Sequence, residues 1–137
     1  MTQRYIDRLA VAYPGITEIW LFGSQANGTA GPNSDWDYLA FTDDASILNA
    51  LSEDKDFHDR DIDLFIAVDA DRCMRPWPDP DGSREQVALG GDPGGMAWER
   101  LSPTEAIYLA AGKRNPDGHK DTTVDYHTEK ARLVYRR

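Results

Sequence analysis

Two runs in this chain open in the same way, acid–apolar–acid and then hydrophobic: Asp35 to Thr42 (DWDYLAFT) and Asp61 to Val68 (DIDLFIAV). Their β-branched and aromatic content fits strands. In a strand, alternate side chains leave the same face, so Asp35 and Asp37 project together while Trp36 turns away. Asp61 and Asp63 repeat the arrangement around Ile62. Carboxylates held side by side repel one another, and their ionised state becomes favourable when a divalent cation such as Mg²⁺ lies between them.

The flanking sequence fills in the organisation. Tyr5, Ile6, Leu9 and Val11/Ala12 recur at helical spacing within Thr2 to Tyr13, and Pro14-Gly15 closes that first helix. Ile16 to Phe22 (ITEIWLF) has the profile of a largely buried strand that stops at Gly23. A turn-rich loop follows, with room for one helical turn after Ser24. Asp43-Asp44 is placed to cap a helix carrying Ile47, Leu48, Leu51 and later Phe57 on its inner side. From Asp69 to Gly82 three prolines predict an end to regular structure. Beyond it, Glu85–Leu89 and Met96–Leu101 flank a Gly-rich turn and predict a hairpin-like pair. The capping-box pattern Ser102-Pro103-Thr104-Glu105 predicts a short helix through Ala110. The polar tail has Val124, Tyr126, Leu133, Val134 and Tyr135 as its anchors, and its pattern assigns it no form. The expected fold class is therefore α/β, a mixed β-sheet flanked by helices. Residues 1–75 form the core, and residues 76–137 are a C-terminal hairpin/helix extension packed on it as one compact domain.

Composition narrows the chemistry. At 137 residues and 40% hydrophobic the chain has the size and apolar content of one domain. Its single cysteine, Cys73, excludes a disulfide framework and a multi-cysteine zinc site, and reads as a small core filler. No stretch approaches a membrane span and the start, MTQRYIDRLA, lacks an apolar leader, so no membrane association and a cytoplasmic location are expected. The net charge of -9 is concentrated: Asp35 to Asp71 holds twelve acids against Lys55 and Arg60. Gly112 to Arg137 reverses the balance, with seven bases and four acids. Such a field disfavours nonspecific duplex DNA binding while leaving the basic end able to meet an acidic partner or a local RNA segment.

One spacing joins these elements. Gly23-Ser24 stands directly after a hydrophobic strand, ten residues intervene (Gln25 to Ser34), and Asp35-Trp36-Asp37 opens the next strand. The glycine lets backbone approach a phosphate, the serine hydroxyl can bind it, and the loop brings the carboxylates alongside. A third acid is expected from a neighbouring strand: Asp63 supplies it, with Asp61 a second candidate. In Leu21-Phe22-Gly23-Ser24, Asn33 to Leu39 and Ile62-Asp63-Leu64 the sequence resembles the polymerase-β-like nucleotidyltransferase superfamily. The short chain looks most like the minimal nucleotidyltransferases (MNT), many of which act as antitoxins paired with HEPN-type RNase toxins. The resemblance covers residues 1 to about 70.

The resemblance implies transfer of a nucleoside monophosphate from an NTP, ATP foremost, to a hydroxyl of a protein or RNA acceptor, with two Mg²⁺ ions as cofactors. Asp35, Asp37 and Asp63 are then catalytic and metal-ligating, Asp61 is a further ligand candidate, and Gly23 and Ser24 hold phosphates. Gln25 and Asn27 stand where minimal members often carry arginines, so cationic help for the triphosphate is expected from Arg72, Arg75 or the basic tail. Of the remaining polar and aromatic residues, His58 reads as a helix-end or surface residue, and Trp36 and Tyr38 as packing under the sheet. Trp77, among prolines, is a candidate nucleobase platform or partner contact. The alternative implied by the same resemblance is a catalytically weak relative that acts by binding a partner such as a HEPN-type toxin.

Overall fold

The computed structural model describes residues 2–28, 30–32, 34–90, 95–110 and 127–137. Its elements are α1 (Thr2–Ala12), β1 (Ile16–Phe22), α2 (Ser24–Asn27), β2 (Trp36–Thr42), α3 (Ser46–Ser52), a 3₁₀ turn (Lys55–Phe57), β3 (Ile62–Ala67), β4 (Arg72–Met74), β5 (Gln86–Ala88), β6 (Glu99–Arg100), β7 (Glu105–Ala110) and β8 (His127–Arg136). All eight strands join one mixed sheet in the order β5-β4-β3-β2-β1-β8-β7-β6. Only β2 and β3 run parallel; the other neighbours are antiparallel. That parallel pair needs a crossover, and α3 with the 3₁₀ turn supplies it.

The sheet curls until its two edges meet. Met96 and Trp98 donate their amides to the carbonyls of Ala88 and Leu89 at 2.8 and 2.7 Å, continuing β5, while Leu109 of β7 donates to Met96 at 2.6 Å. Residues 96–98 thus lace one edge to the other, which satisfies backbone groups that an open edge would expose. Curling gives the two faces different fates. Tyr5, Ile6 and Leu9 of α1 and Ile47 and Leu51 of α3 pack on the outer face against Ile19, Leu21, Tyr38, Leu64 and Ile66. The alternate residues Trp20, Leu39, Phe65 and Ala67 point inward, where Cys73, Met96, Ala106, Tyr108 and Ala131 from the far strands fill the interior. Period-two alternation along β1, β2 and β3 therefore serves two apolar clusters, which explains why these strands read as continuously hydrophobic.

Three sequence expectations change. The helix expected after Ser102 is strand β7. Ser102 Oγ accepts the amides of Thr104 and Glu105 at 3.2 and 3.1 Å, so the capping chemistry forms, but it closes the turn of the β6–β7 hairpin. Pairing along β8 from Glu105↔Arg132 to Ala110↔His127 then outweighs local helix propensity, with Ala106 and Tyr108 buried on one side. Helices accordingly cover one face of the sheet, and the regular elements among the described residues of the C-terminal extension are strands. The proline-rich segment also carries β4, whose Cys73 is buried. Trp77 is no platform: it is 5% exposed in the outer cluster, stacks on His58 with centroids 4.6 Å apart, and donates Nε1 to the Asp54 carbonyl at 3.3 Å.

Other expectations hold. Tyr38 is buried under the helices with Trp36 packed beside it, and His58 is an exposed residue at the end of the 3₁₀ turn. The pair flanking the Gly-rich turn does meet, although β6 itself pairs with β7. Val124 and Tyr126 lie outside the described residues.

Candidate active site

The site is a row across one end of the sheet's inner face. Phe22 pairs with Asp37, which sets Gly23 beside the head of β2, and Asp37 pairs in register with Asp63 on β3. Parity fixes the side: Asp37 alternates with Leu39, and Asp63 with Phe65, both inward-facing. The two carboxyls share a hydrogen bond. Burial, followed by the charges of Asp63 and Asp35, pushes the Asp37 carboxyl from 3.8 up to about 7. Asp35 is exposed just ahead of β2, close enough for its charge to act on Asp37. Asp61 sits in the turn before β3 and borders a cavity of about 620 Å³ on the α1 side, with Arg4, Tyr5 and Trp36. The strand parity that carries Asp63 inward does not extend to it.

Gly23 is required twice over. Its φ of +74° lies in the left-handed region, and a Cβ there would stand 2.1 Å from Asp37 Oδ2. The strand therefore turns sharply into α2 while the half-buried Asp37 carboxyl lies directly over the turn. Ser24 opens α2, and Gln25 and Asn27, at the positions where minimal members often carry arginines, hold the turn. Asn27 donates Nδ2 to the carbonyls of Gly23 and Lys130, both at 2.9 Å, and its Oδ1 accepts the Lys130 amide at 2.9 Å. Gln25 donates to the Ser34 carbonyl at 3.2 Å, fixing the loop that leads to Asp35.

Two participants come from the far half of the chain. The Tyr108 hydroxyl accepts the Gly23 amide at 2.6 Å and donates to Glu129 Oε2 at 2.9 Å. Burial holds that phenol protonated well above its ordinary range, and Glu129 adds a further acidic charge acting on Asp37. Neither was singled out in the sequence. The alternation of Ala106 and Tyr108 was the available signal for the first; Glu129 lay in a tail read only for its basic residues. At the other end of the row, Arg75 Nη2 lies 3.4 Å from Asp63 Oδ1. Arg72 is off the row: the inward residue of β4 is Cys73, and the Arg72 guanidinium reaches Gln86 Oε1 at 3.3 Å.

The donor set is chemically suited to a hard divalent cation: it is acidic, made of oxygen, and protonation at Asp37 is favoured by burial and then by the neighbouring negative charges, both of which a bound cation would offset. Among the described residues no three His, Cys, Asp or Glu side chains converge into a ready-made metal cage. Asp37 and Asp63 are thus an open pair, the kind of arrangement Mg²⁺ completes with water and substrate oxygens. Among the described residues no helix is long and apolar enough to cross a membrane.

No curated protein matches the chain. A family model described as a nucleotidyltransferase domain matches residues 3–89, from α1 through β5. The matched span includes Gly23, Asp35, Asp37, Asp63 and Arg75, while Tyr108 and Glu129 lie beyond it. Covering well over half of the sequence, the match shows that the chain belongs to the polymerase-β-like nucleotidyltransferase domain family.

Proposed function

We propose that the protein transfers a nucleoside monophosphate from an NTP, ATP foremost, to a hydroxyl of a protein or RNA acceptor. The observation that carries this reading is the Asp37–Asp63 pair, half-buried beside the Gly23-Ser24 turn, where burial and the neighbouring acidic charges hold a proton on Asp37 to about pH 7. Asp35, Asp37 and Asp63 would hold two Mg²⁺ ions, whose chemistry is to neutralise developing charge on the reacting phosphate oxygens. The turn at Gly23 and Ser24 receives the β and γ phosphates, with Ser24 Oγ and the α2 backbone as donors. The acceptor oxygen forms its bond to the α-phosphorus as the bond to pyrophosphate breaks, and Asp63 is placed to take the acceptor's proton.

A second reading follows from how the turn is used. The Gly23 amide is committed to Tyr108, and Asn27 and Gln25 hold backbone instead of supplying charge. A site with fewer free donors for a triphosphate favours a partner-binding protein of the antitoxin kind, with a HEPN-type toxin as the partner class.

Thermal unfolding with each NTP, with and without Mg²⁺, separates the two. A ligand at ~100 times its Kd adds about 2.7 kcal/mol, which for a chain of this size raises Tm by about 9 °C. The transferase reading expects that rise for one NTP with Mg²⁺ and its loss in Asp35→Ala/Asp37→Ala. No response to any NTP refutes it and leaves the binding protein.

A further inference from the structure

We infer that Arg75 recognises an anionic group carried by the acceptor, a phosphate or carboxylate close to the hydroxyl that is modified. This inference rests on the transferase reading, because that reading sets the triphosphate at Gly23-Ser24 and the acceptor at Asp63.

The guanidinium is under-used as it stands. Its one polar neighbour among the described contacts is Asp63, at 3.4 Å, longer than a charge-assisted hydrogen bond of about 2.7–2.9 Å. Its Nε is buried with no hydrogen-bond partner among the described residues. A buried donor left unpaired is costly, the more so on a charged group, so a structure that retains one calls for an explanation. The backbone from which the side chain extends is fixed: the Arg75 amide donates to the Glu85 carbonyl at 3.0 Å, and Pro76 follows directly. An arginine anchored there, with an unpaired Nε in a planar fork, matches the two oxygens of a phosphate or carboxylate.

Strand order decides which substrate it meets. Gly23 ends β1, Asp37 is on β2, Asp63 on β3, and Arg75 follows β4. Arg75 is thus on the far side of Asp63 from the Gly23-Ser24 turn. A cation serving the β and γ phosphates belongs near β1, whereas one beyond β3 faces what approaches Asp63. The acidic field of the Asp35 to Asp71 segment makes this requirement selective: an anionic acceptor is repelled in general and accepted only where its charge reaches Arg75.

The test uses inorganic phosphate and acetate as probes of the acceptor side. The full chain is first saturated with Mg²⁺ and a non-transferable NTP analogue with a methylene between the α and β phosphorus, which fills the triphosphate side. Phosphate or acetate is then titrated, following Tm and calorimetric heat, in the native chain, Arg75→Gln and Arg72→Gln. The expected result is saturable binding of at least one probe, weakened at least tenfold by Arg75→Gln, unchanged by Arg72→Gln, with analogue affinity altered less than threefold. Which probe binds distinguishes a phosphate-bearing acceptor from a carboxylate-bearing one. Absence of probe binding in the native chain, or equal binding in Arg75→Gln, overturns the inference. So does a tenfold loss of analogue affinity in Arg75→Gln, which would assign Arg75 to the triphosphate and leave the transferase reading standing. Failure of the analogue to bind the native chain at all is the separate failure of that reading, and it removes the inference with it.

Discussion

Replacing Asp37 with asparagine should stabilise the metal-free protein, and by an amount that grows with pH. The folded chain holds the Asp37 proton up to about pH 7, whereas the unfolded chain releases it near 3.8. Below 3.8 both states are protonated and the fold carries no penalty. As pH rises from there, the unfolded state ionises first, so stability falls until the folded carboxyl also ionises near 7, and is level above it. Each tenfold difference in proton affinity is worth about 1.36 kcal/mol, which sets a ceiling of roughly 4 kcal/mol. Partial solvent access and sharing of the effect among neighbouring carboxylates reduce this to about 2 kcal/mol. With an unfolding entropy near 2.1 cal/mol/K per residue, that is a Tm difference of about 7 °C. The assay is thermal unfolding of the native chain and Asp37→Asn with a chelator, from pH 4 to 8.5. The variant's advantage should be near zero at pH 4, rise through pH 5 to 7 and then level off. A difference that is flat with pH, or a variant less stable at pH 8, would refute the electrostatic account of the site.

Adding Mg²⁺ at pH 8 should raise the Tm of the native chain and leave Asp37→Asn unchanged, a comparison read in the same instrument. Gly23→Ala forces a positive φ with extended ψ on a residue with a Cβ, at about 1–3 kcal/mol, and displaces the Asp37 carboxyl. Labelled-NTP transfer should therefore fall much further than urea-measured stability. Tyr108→Phe leaves the Gly23 amide without its partner and should cost about 1–3 kcal/mol in denaturant unfolding, showing that β7 supports the site. Trp77→Ala opens a void in the outer cluster and should cost about 3–5 kcal/mol; near-neutrality in a urea titration would return Trp77 to the surface.

What the sequence determined by itself is local and periodic. The alternating heads of β2 and β3, the apolar run of β1 and the glycine at its end are set by backbone geometry within a few residues, so the Gly23-Ser24 turn and the side of β2 that Asp37 takes, opposite Trp36, were legible before any coordinates. The same held for α1, whose Tyr5, Ile6 and Leu9 recur on one face. Elsewhere short-range signals were outvoted by distant partners. The capping residues after Ser102 closed a hairpin because β8, more than twenty residues further on, offered a strand for β7 to pair with. Trp77 lay among prolines, yet His58 and Asp54 gave it a buried seat. Asn27 looked like a missing charge and proved to be a brace between the turn and Lys130. Tyr108 and Glu129 joined the site, and Arg75 rather than Arg72 reached Asp63, because the sheet curls until β7, β8 and β4 border the same row. Neighbours along the chain are fixed by covalent geometry, whereas neighbours across a sheet depend on strand order and curvature, which arise only when the whole apolar interior is packed at once.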